Sequence, residues 1–553
     1  MASQTSQKKQ RFLEISIVIV ASLIFWYLAL SNLLLPGPYQ DECLILAPAL
    51  RYLGVEMISP HDSCCVQNIL GNDVLLMINP DYMSAIPGYI SLPFFYVFGI
   101  NAFAMRLCSA VILFGFLLAT YAFGKEVLGG LTGALTMLLM AVEPFLIEAS
   151  RSFAALNYVS LFGLLGLLSL VLWHKHKQNR YLLLSAFLFG IGFSVKIALS
   201  QLIFAIIVAE IAYMALSHKK PKIGADTLWL AALSAVSFFF GAILLVLQNI
   251  YRKFTTFRLV SSVTGSPTVF GANNLDIIGN ISKRISQIDF VLGDLSIAYL
   301  ITAAWVLYFY FYNPKFKGRV VSITLIVLVV SLIFASAFTI TTLSPVHLYI
   351  LYPFPQMLLS YTVVASAYSL FKILKKKKMG GYSSLAPKLA FFSLPLLLFT
   401  VLLLTNLSTC ISYQEELSMT GGKGYHTDAI YELSDYLDEN NVSRPVALTW
   451  GFKYNTNIIT QGRVDPLELH FNPERQDINI NKSLEMWKSN LSKRFFVDGS
   501  NRYLFYVHMQ EKRGFPEFNT TAEEEGKEVV LEKEFCDRKG TPTIRLYLVL
   551  DKN

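Results

Sequence analysis

An α-helical membrane protein that crosses the bilayer about eleven times and carries a small C-terminal α/β domain is the fold this sequence predicts, and three observations predict it. Of 553 residues, 54% are hydrophobic and only 15% charged, too apolar for a soluble multidomain chain. The apolar residues gather into runs near the ~20 residues that a helix needs to cross hydrocarbon. The basic residues sit in short clusters between particular runs, all on one side of the membrane if the spans alternate.

The first run, 16–35, follows Lys8, Lys9 and Arg11 and lacks a small-residue cleavage site. It reads as a retained signal anchor with its N-terminus in the cytoplasm. Further spans are predicted at 106–124, 128–147, 153–173, 181–196, 197–216, 227–248, 296–312, 320–340, 348–371 and 389–407. The stretch "SAIPGYISLPFFYVFGI" (84–100) is rich in Pro, Gly and aromatic residues, which suits a helix lying in the interface. Charge decides against a twelfth span there. With eleven, "HKHKQNR" (174–180), "SHKKPK" (217–222), "NPKFKGR" (313–319) and "KILKKKKM" (372–379) all fall on the cytoplasmic side; a twelfth would invert every one.

Residues 1–407 thus form a transmembrane domain, with a first extracytoplasmic loop (36–105) and a middle loop (249–295), and 408–553 an extracytoplasmic α/β domain. That domain places an amphipathic helix, "YHTDAIYELSDYLDEN", among strand-like runs such as "PVALTWG", "RYLFYVH" and "TIRLYLVL". Sequons at Asn280, Asn406, Asn441, Asn481, Asn490 and Asn519 are all predicted outside, where they permit glycosylation. Cys43, Cys64, Cys65, Cys410 and Cys536 are predicted outside and Cys108 in the membrane, with disulfides or buried thiols favoured over metal ligation. The net charge of +8 comes largely from cytoplasmic lysines. It implies anionic membrane lipid as a neighbour and gives no indication of nucleic acid. No internal repeat of the transporter kind is visible.

Chemistry is suggested by polar residues at one face of the membrane. In "PGPYQDECLILAPALRYLG" (36–54), Asp41 and Glu42 follow the first span directly. On pattern alone Asp41 caps a short helix. Glu143 and Glu148, in "AVEPFLIEASRSF", end the third span, with Pro144 as a breaker and Arg151 opening the fourth, where a local Glu148–Arg151 ion pair is the simplest reading. Lys196 ends the fifth span, free to snorkel or to hold a lipid phosphate. His347, Tyr349 and Tyr352, in "SPVHLYILYPFPQ", open the tenth span, where an aromatic belt is the plain alternative. Their convergence on one face is what points to a site. A carboxylate there can take a proton from a hydroxyl while cations or a metal neutralise a departing phosphate. The chain has no D-x-D, G-x-G-x-x-G or P-loop, so a lipid-bound donor fits better than a nucleotide-bound one.

These residues resemble a known family. The acidic pair after the first span, followed by "IPGYISLPFFYVFGINAFAMRL" with Arg106 opening the second, is similar to the first extracytoplasmic loop of GT-C glycosyltransferases, nearest to the protein mannosyltransferase and aminoarabinose transferase group. "GIGFSVK" resembles that group's glycine-rich span ending in Lys, and "HLYILYPFP" its Arg/His-Tyr-x-x-Pro start of a late span. The similarity covers 36–200 and 340–371 well and the tail vaguely. It implies an inverting transfer of a mannose-like or pentose sugar from a polyprenyl-phosphate donor to a hydroxyl or amine of a protein, lipid or glycan acceptor. Carried over by position, Asp41 is the base, with Glu42 as helper or metal ligand; Arg106, Arg151, Lys196, His347, Tyr349 and Tyr352 bind substrate. Where the group often has an acid several residues after an Arg, this chain has Asn157 after Arg151, so Glu148 and Glu143 are the substitutes, Glu148 for catalysis and Glu143, with Glu42, for a divalent metal ion. The implied location is the plasma membrane of a prokaryote or the endoplasmic reticulum of a eukaryote. Two other readings stand beside this one. An oligosaccharyltransferase shares the architecture but carries W-W-D-Y-G, which "TWGFKY" (449–454) does not match. A lipid-linked sugar flippase or transporter calls for polar or broken helices at mid-membrane, whereas the charges here lie mainly at span ends.

Overall fold

The computed structural model describes residues 2–55, 66–79, 83–152, 154–218, 224–256, 258, 276–289, 296–312, 318–338, 344–377, 385–469, 480–496, 501–510 and 514–552. Helices occupy all eleven apolar intervals. They are α1 (Ala2–Leu30), α4 (Ala102–Val127), the pair α5 (Gly130–Ala141) and α6 (Pro144–Ser152), α7 (Ala154–His176), α8 (Asn179–Val195), α9 (Leu199–Leu216), the pair α10 (Ala225–Gly241) and α11 (Ile243–Tyr251), α13 (Ser296–Tyr312), α14 (Arg319–Ser336), α15 (Phe354–Lys377) and α16 (Leu385–Thr420). Among the described residues seven helices are long and apolar enough to cross a membrane, nine spans if each bent pair counts as one; α8 and α13 are shorter apolar helices. Between α1 and α4 lie α2 (Gln40–Leu46), the short strands β1 (Val66–Ile69), β2 (Asn72–Leu75), β3 (Met77–Asn79) and β4 (Met83–Ser84), and α3 (Ile86–Phe98), the proline-bearing stretch assigned to the interface; α12 (Ile277–Ser286) belongs to the middle loop.

Local chemistry explains the breaks. α5 and α6 meet at 60°, where Pro144 brings no amide hydrogen to continue the ladder. α4 starts where the Asn101 side chain accepts from the Ala104 amide at 2.9 Å. α4 and α5 approach closely because Gly124 faces Gly133: a Cβ on Gly124 would lie 2.7 Å from the Gly133 Cα. Small residues let membrane helices gain contact that oil-like surroundings do not otherwise drive.

The bundle has two distinct ends. Arg106 lies near the start of α4 beside α2, and Val127 at its far end, about 30 Å away at 1.5 Å per residue. At that far end Lys125 pairs with Glu14 at 2.9 Å and Lys175 with Glu126 at 2.6 Å. The described basic cluster His174–Arg180 therefore stands opposite Asp41, the segregation that the charge pattern called for.

The C-terminal α/β unit sits at the Asp41 end. Its sheet has the order β6-β5-β7-β9-β8, from β5 (Val446–Ala447), β6 (Leu467–Glu468), β7 (Arg502–Tyr506), β8 (Lys527–Cys536) and β9 (Pro542–Asp551). β5 runs parallel to β6 and β7, while β9 pairs antiparallel with β7 and β8. The expected amphipathic helix is α17 (Ala429–Glu439), which buries Ile430, Leu433 and Leu437 against the sheet. "PVALTWG" yields only a two-residue strand before α18 (Lys453–Ile459).

Three expectations need correction here. α16 runs on to Thr420, past the expected boundary at 407. Cys410 and Asn406 therefore sit on a helix face inside the bundle: Cys410 is a buried free thiol whose Sγ lies 3.4 Å from the Val142 carbonyl, and Asn406 is bonded to Glu143. Asn280 is buried and Asn406 is half-buried with its amide held by Glu143, so neither side chain stands free as a glycan acceptor. Cys43, Cys108 and Cys536 are free thiols as well; Cys64 and Cys65 lie outside the described residues.

Candidate active site

Asp41 occupies the first turn of α2, between two neighbours that are each only 1% exposed, Gln40 and Glu42. Asp41 itself is solvent-accessible yet crowded by protein. The Tyr39 hydroxyl donates to its carboxylate, Lys196 attracts it, and Glu468 of the C-terminal domain repels it. Partial loss of water pushes the Asp41 carboxyl above its ordinary range; Lys196 and Tyr39 pull it back and Glu468 adds to the rise. An acid with raised basicity, open access and a cation near at hand is suited to proton abstraction.

Glu42 has a different occupation. Its Oε1 accepts from Arg106 Nε at 3.0 Å and its Oε2 from Arg106 Nη2 at 3.3 Å and from the Tyr39 amide at 3.4 Å. Arg106 also donates to the Leu33 carbonyl at 2.9 Å. Both groups, expected at the substrate, are consumed in a buried pair that ties α2 and the end of α1 to α4. Taking each charge out of water costs several kcal/mol, which two-point hydrogen bonding offsets.

Glu143 stands apart from both, in the α5–α6 break. It accepts from Tyr352 Oη at 3.1 Å, Gln356 Nε2 at 3.3 Å and Asn406 Nδ2 at 3.3 Å. Tyr349 is buried beside it, packed on Phe145 and Tyr352 at ring separations of 5.6 and 5.7 Å. These tyrosines are core residues, and the aromatic-belt alternative does not describe them. The residues expected to hold a divalent metal do not fit one: the Glu42 oxygens face a guanidinium, and Glu143 is ringed by hydrogen-bond donors. Among the described residues no group of three or more His, Cys, Asp or Glu is arranged to hold a metal ion.

Arg151 is buried too, and caps the end of α1, donating to Ser31 O at 2.5 Å and Ala29 O at 3.4 Å. Among the described residues it makes no ion pair with Glu148. Glu148 instead lines a hollow of about 200 Å³ with Pro36, Tyr413, Glu416, Lys423 and His426. Lys196 follows the last turn of α8 in extended conformation, which carries it out of the helix toward α2 without a direct ion pair among the described residues. His347 lies on the 3₁₀ segment Pro345–Leu351, at the start of the late span and on a different element from Asp41.

Sequence reasoning missed the residues that the C-terminal domain contributes. Tyr39 stacks on His426 at 4.3 Å and meets Trp450 edge-on at 5.6 Å. Burial and the Arg106 guanidinium hold the His426 imidazole down at about 4, so it is neutral at physiological pH. Gln40 donates to Glu468 Oε1 at 2.5 Å and accepts from the Lys453 amide at 2.9 Å. The available signals were Tyr39 and Gln40 beside the acidic pair and the aromatic run "LTWGFKY"; nothing marked Glu468. Arg284 was also missed: buried in α12, it bonds Ser336 O at 3.0 Å and Ser344 O at 2.8 Å, fixing the start of the His347 segment.

Residues 85–244 match the dolichyl-phosphate-mannose-protein mannosyltransferase family. No curated protein sequence matches the chain. Among solved structures, ArnT from Cupriavidus metallidurans bound to undecaprenyl phosphate is similar with a TM-score of 0.56 at 9% identity over 97% of both chains. The oligosaccharyltransferase AglB from Archaeoglobus fulgidus, in complex with an inhibitory peptide and a dolichol-phosphate, aligns with a TM-score of 0.50 at 12% identity over 93% of this chain and 71% of its own. The likeness spans the helical bundle and the C-terminal domain together. By its fold, the chain is similar to these membrane glycosyltransferases over nearly its whole length, and residues 85–244 carry the family match.

Proposed function

We propose that the chain transfers a sugar from a polyprenyl-phosphate lipid to an acceptor hydroxyl or amine on the extracytoplasmic side, with Asp41 as base. The observation that carries this reading is the contrast at α2: of three consecutive polar residues, Gln40 and Glu42 are buried and fully engaged, and Asp41 alone is exposed, with the Lys196 charge acting on it. Asp41 takes the acceptor proton as the acceptor oxygen or nitrogen forms its bond to the anomeric carbon from the face opposite the lipid phosphate. The carbon–oxygen bond to phosphate breaks, its electron pair leaves with the polyprenyl phosphate, and configuration inverts. Lys196 offsets the charge that develops on the departing oxygen. The family match over 85–244 and the undecaprenyl phosphate bound by ArnT favour a lipid-phosphate donor. Mannose is one sugar in line with the family, and a pentose another.

The test is transfer of radiolabel from polyprenyl-phosphate sugars to product in membranes containing the protein, with product mass read in parallel. Label that appears in product with wild type and not with Asp41→Asn supports the reading. Label that only changes sides of the membrane, still on its lipid, would replace it with a flippase.

A further inference from the structure

On the reading of Asp41 as base, we propose that the C-terminal domain is part of the catalytic unit, with Gln40, gripped by Glu468 and the Lys453 amide, as the positioning residue that fixes Asp41. The segment leading into Asp41 is anchored at three points, all from beyond α16. Tyr431 Oη donates to Leu34 O at 2.9 Å, Asn455 Nδ2 to Pro38 O at 3.2 Å, and the Gln40 amide is used at both ends, donating to Glu468 and accepting from the Lys453 amide. Glu468 is itself oriented by the Gly451 amide at 3.4 Å. Lys453 forms the N-terminus of α18, whose Tyr454 and Ile458 pack into the same apolar cluster as Cys43, Ile45 and Leu46 of α2. On its other flank Asp41 is fixed through Glu42 and Arg106 of the bundle. The base thus hangs between two immobilised residues, one held by the bundle and one by the domain. A short helix of one turn or two is not stable by itself, so the set of its carboxylate is only as good as these two anchors.

The experiment compares Gln40→Ala, Glu468→Gln, Gln40→Glu and the double variant Gln40→Glu with Glu468→Gln, in the full-length protein. Hydrogen exchange over residues 34–46 needs no substrate. It is expected to quicken at least tenfold in Gln40→Ala and in Gln40→Glu, where two acids meet, with α4 and β7 unchanged as the check on folding. In transfer from the lipid-phosphate sugar that wild type consumes, kcat should fall about tenfold or more while KM for the donor stays within twofold. The double variant restores one donor and one acceptor across the contact and should recover a good part of both losses. Unchanged exchange and kcat in Gln40→Ala, or a double variant no better than Gln40→Glu, would overturn the proposal. If instead Asp41→Asn transfers normally while exchange responds as expected, the assignment of the base has failed and the clamp stands as an anchor only.

Discussion

Asp41 and Glu143 are both acids at a helix end in a membrane protein, and their surroundings differ in every respect that matters for reactivity. Glu143 is 4% exposed and accepts three hydrogen bonds from neutral donors. Asp41 is open to solvent, takes one hydroxyl, and lies between an attracting Lys196 and a repelling Glu468. A carboxylate saturated with donors joins elements together, and removing one donor leaves an unmet polar group. A carboxylate left partly unmet, with access and opposed charges around it, keeps an oxygen for chemistry.

The sharpest way to break this comparison is to neutralise each acid in turn. Asp41→Asn keeps the shape and loses the basic oxygen, so transfer should fall by about 100-fold to 10,000-fold with the protein still folded. Glu143→Gln should keep turnover within about threefold of wild type, because its effect is on packing. Product formation per folded enzyme decides. A dead Glu143→Gln beside a healthy Asp41→Asn would exchange the two roles.

Much of this was legible in the chain. Span positions follow from runs of apolar residues whose length the bilayer dictates, and every predicted run holds a helix. The placement of Asp41 was legible because it follows the first span directly, where the chain leaves the bundle. The partition between Asp41 and Glu42 was not: adjacent residues on a helix point 100° apart, and which one meets Arg106 depends on how α2 rests on α4. Glu468 was illegible for a different reason. It is brought to Asp41 by a parallel pairing of two very short strands, β5 with β6, whose register no local pattern encodes. Arg151 misled because an Arg near an acid reads as an ion pair, whereas here the unsatisfied carbonyls at the end of α1 claim it.

Lys196 offers the next largest effect. Lys196→Ala should lower kcat about 10-fold to 100-fold, a few kcal/mol at most of lost phosphate stabilisation, and Lys196→Arg should keep part of it. The pH profile adds a second readout with a definite sign. In the proposed role Asp41 must be deprotonated, so rate should fall as pH drops through its pKa, which lies above the ordinary carboxylate range. Removing Lys196 removes a group that pulls this pKa down, so the acid limb should move to higher pH. A profile that stays in place, with full activity, would return Lys196 to the role of a snorkelling residue.

On the structural side of the comparison, Arg106→Leu strands Glu42 as an uncompensated buried charge and should cost about 3–5 kcal/mol in unfolding, far more than it costs the turnover of molecules that remain folded. Replacing both partners by apolar residues of similar volume should recover most of that loss. The recovery separates the desolvation of a lone charge from any specific service to the substrate.

The smallest effect tests the Glu143 cluster, where Asn406 supplies one of three donors at 3.3 Å. Asn406→Ala deletes a donor and leaves the carboxylate with Tyr352 and Gln356, so the loss should be about 1 kcal/mol, the net worth of one hydrogen bond. Glu143→Gln sets an amide against two amide donors and should cost about 1–3 kcal/mol. Because both substitutions act on one network, their effects should not add, and in Glu143→Gln background Asn406→Ala should be nearly silent, since it removes a donor that the new amide competes with. Additive losses in a double-mutant cycle would show that Asn406 stabilises α16 by another route. They would also weaken the contrast between a saturated acid and a reactive one that distinguishes Glu143 from Asp41.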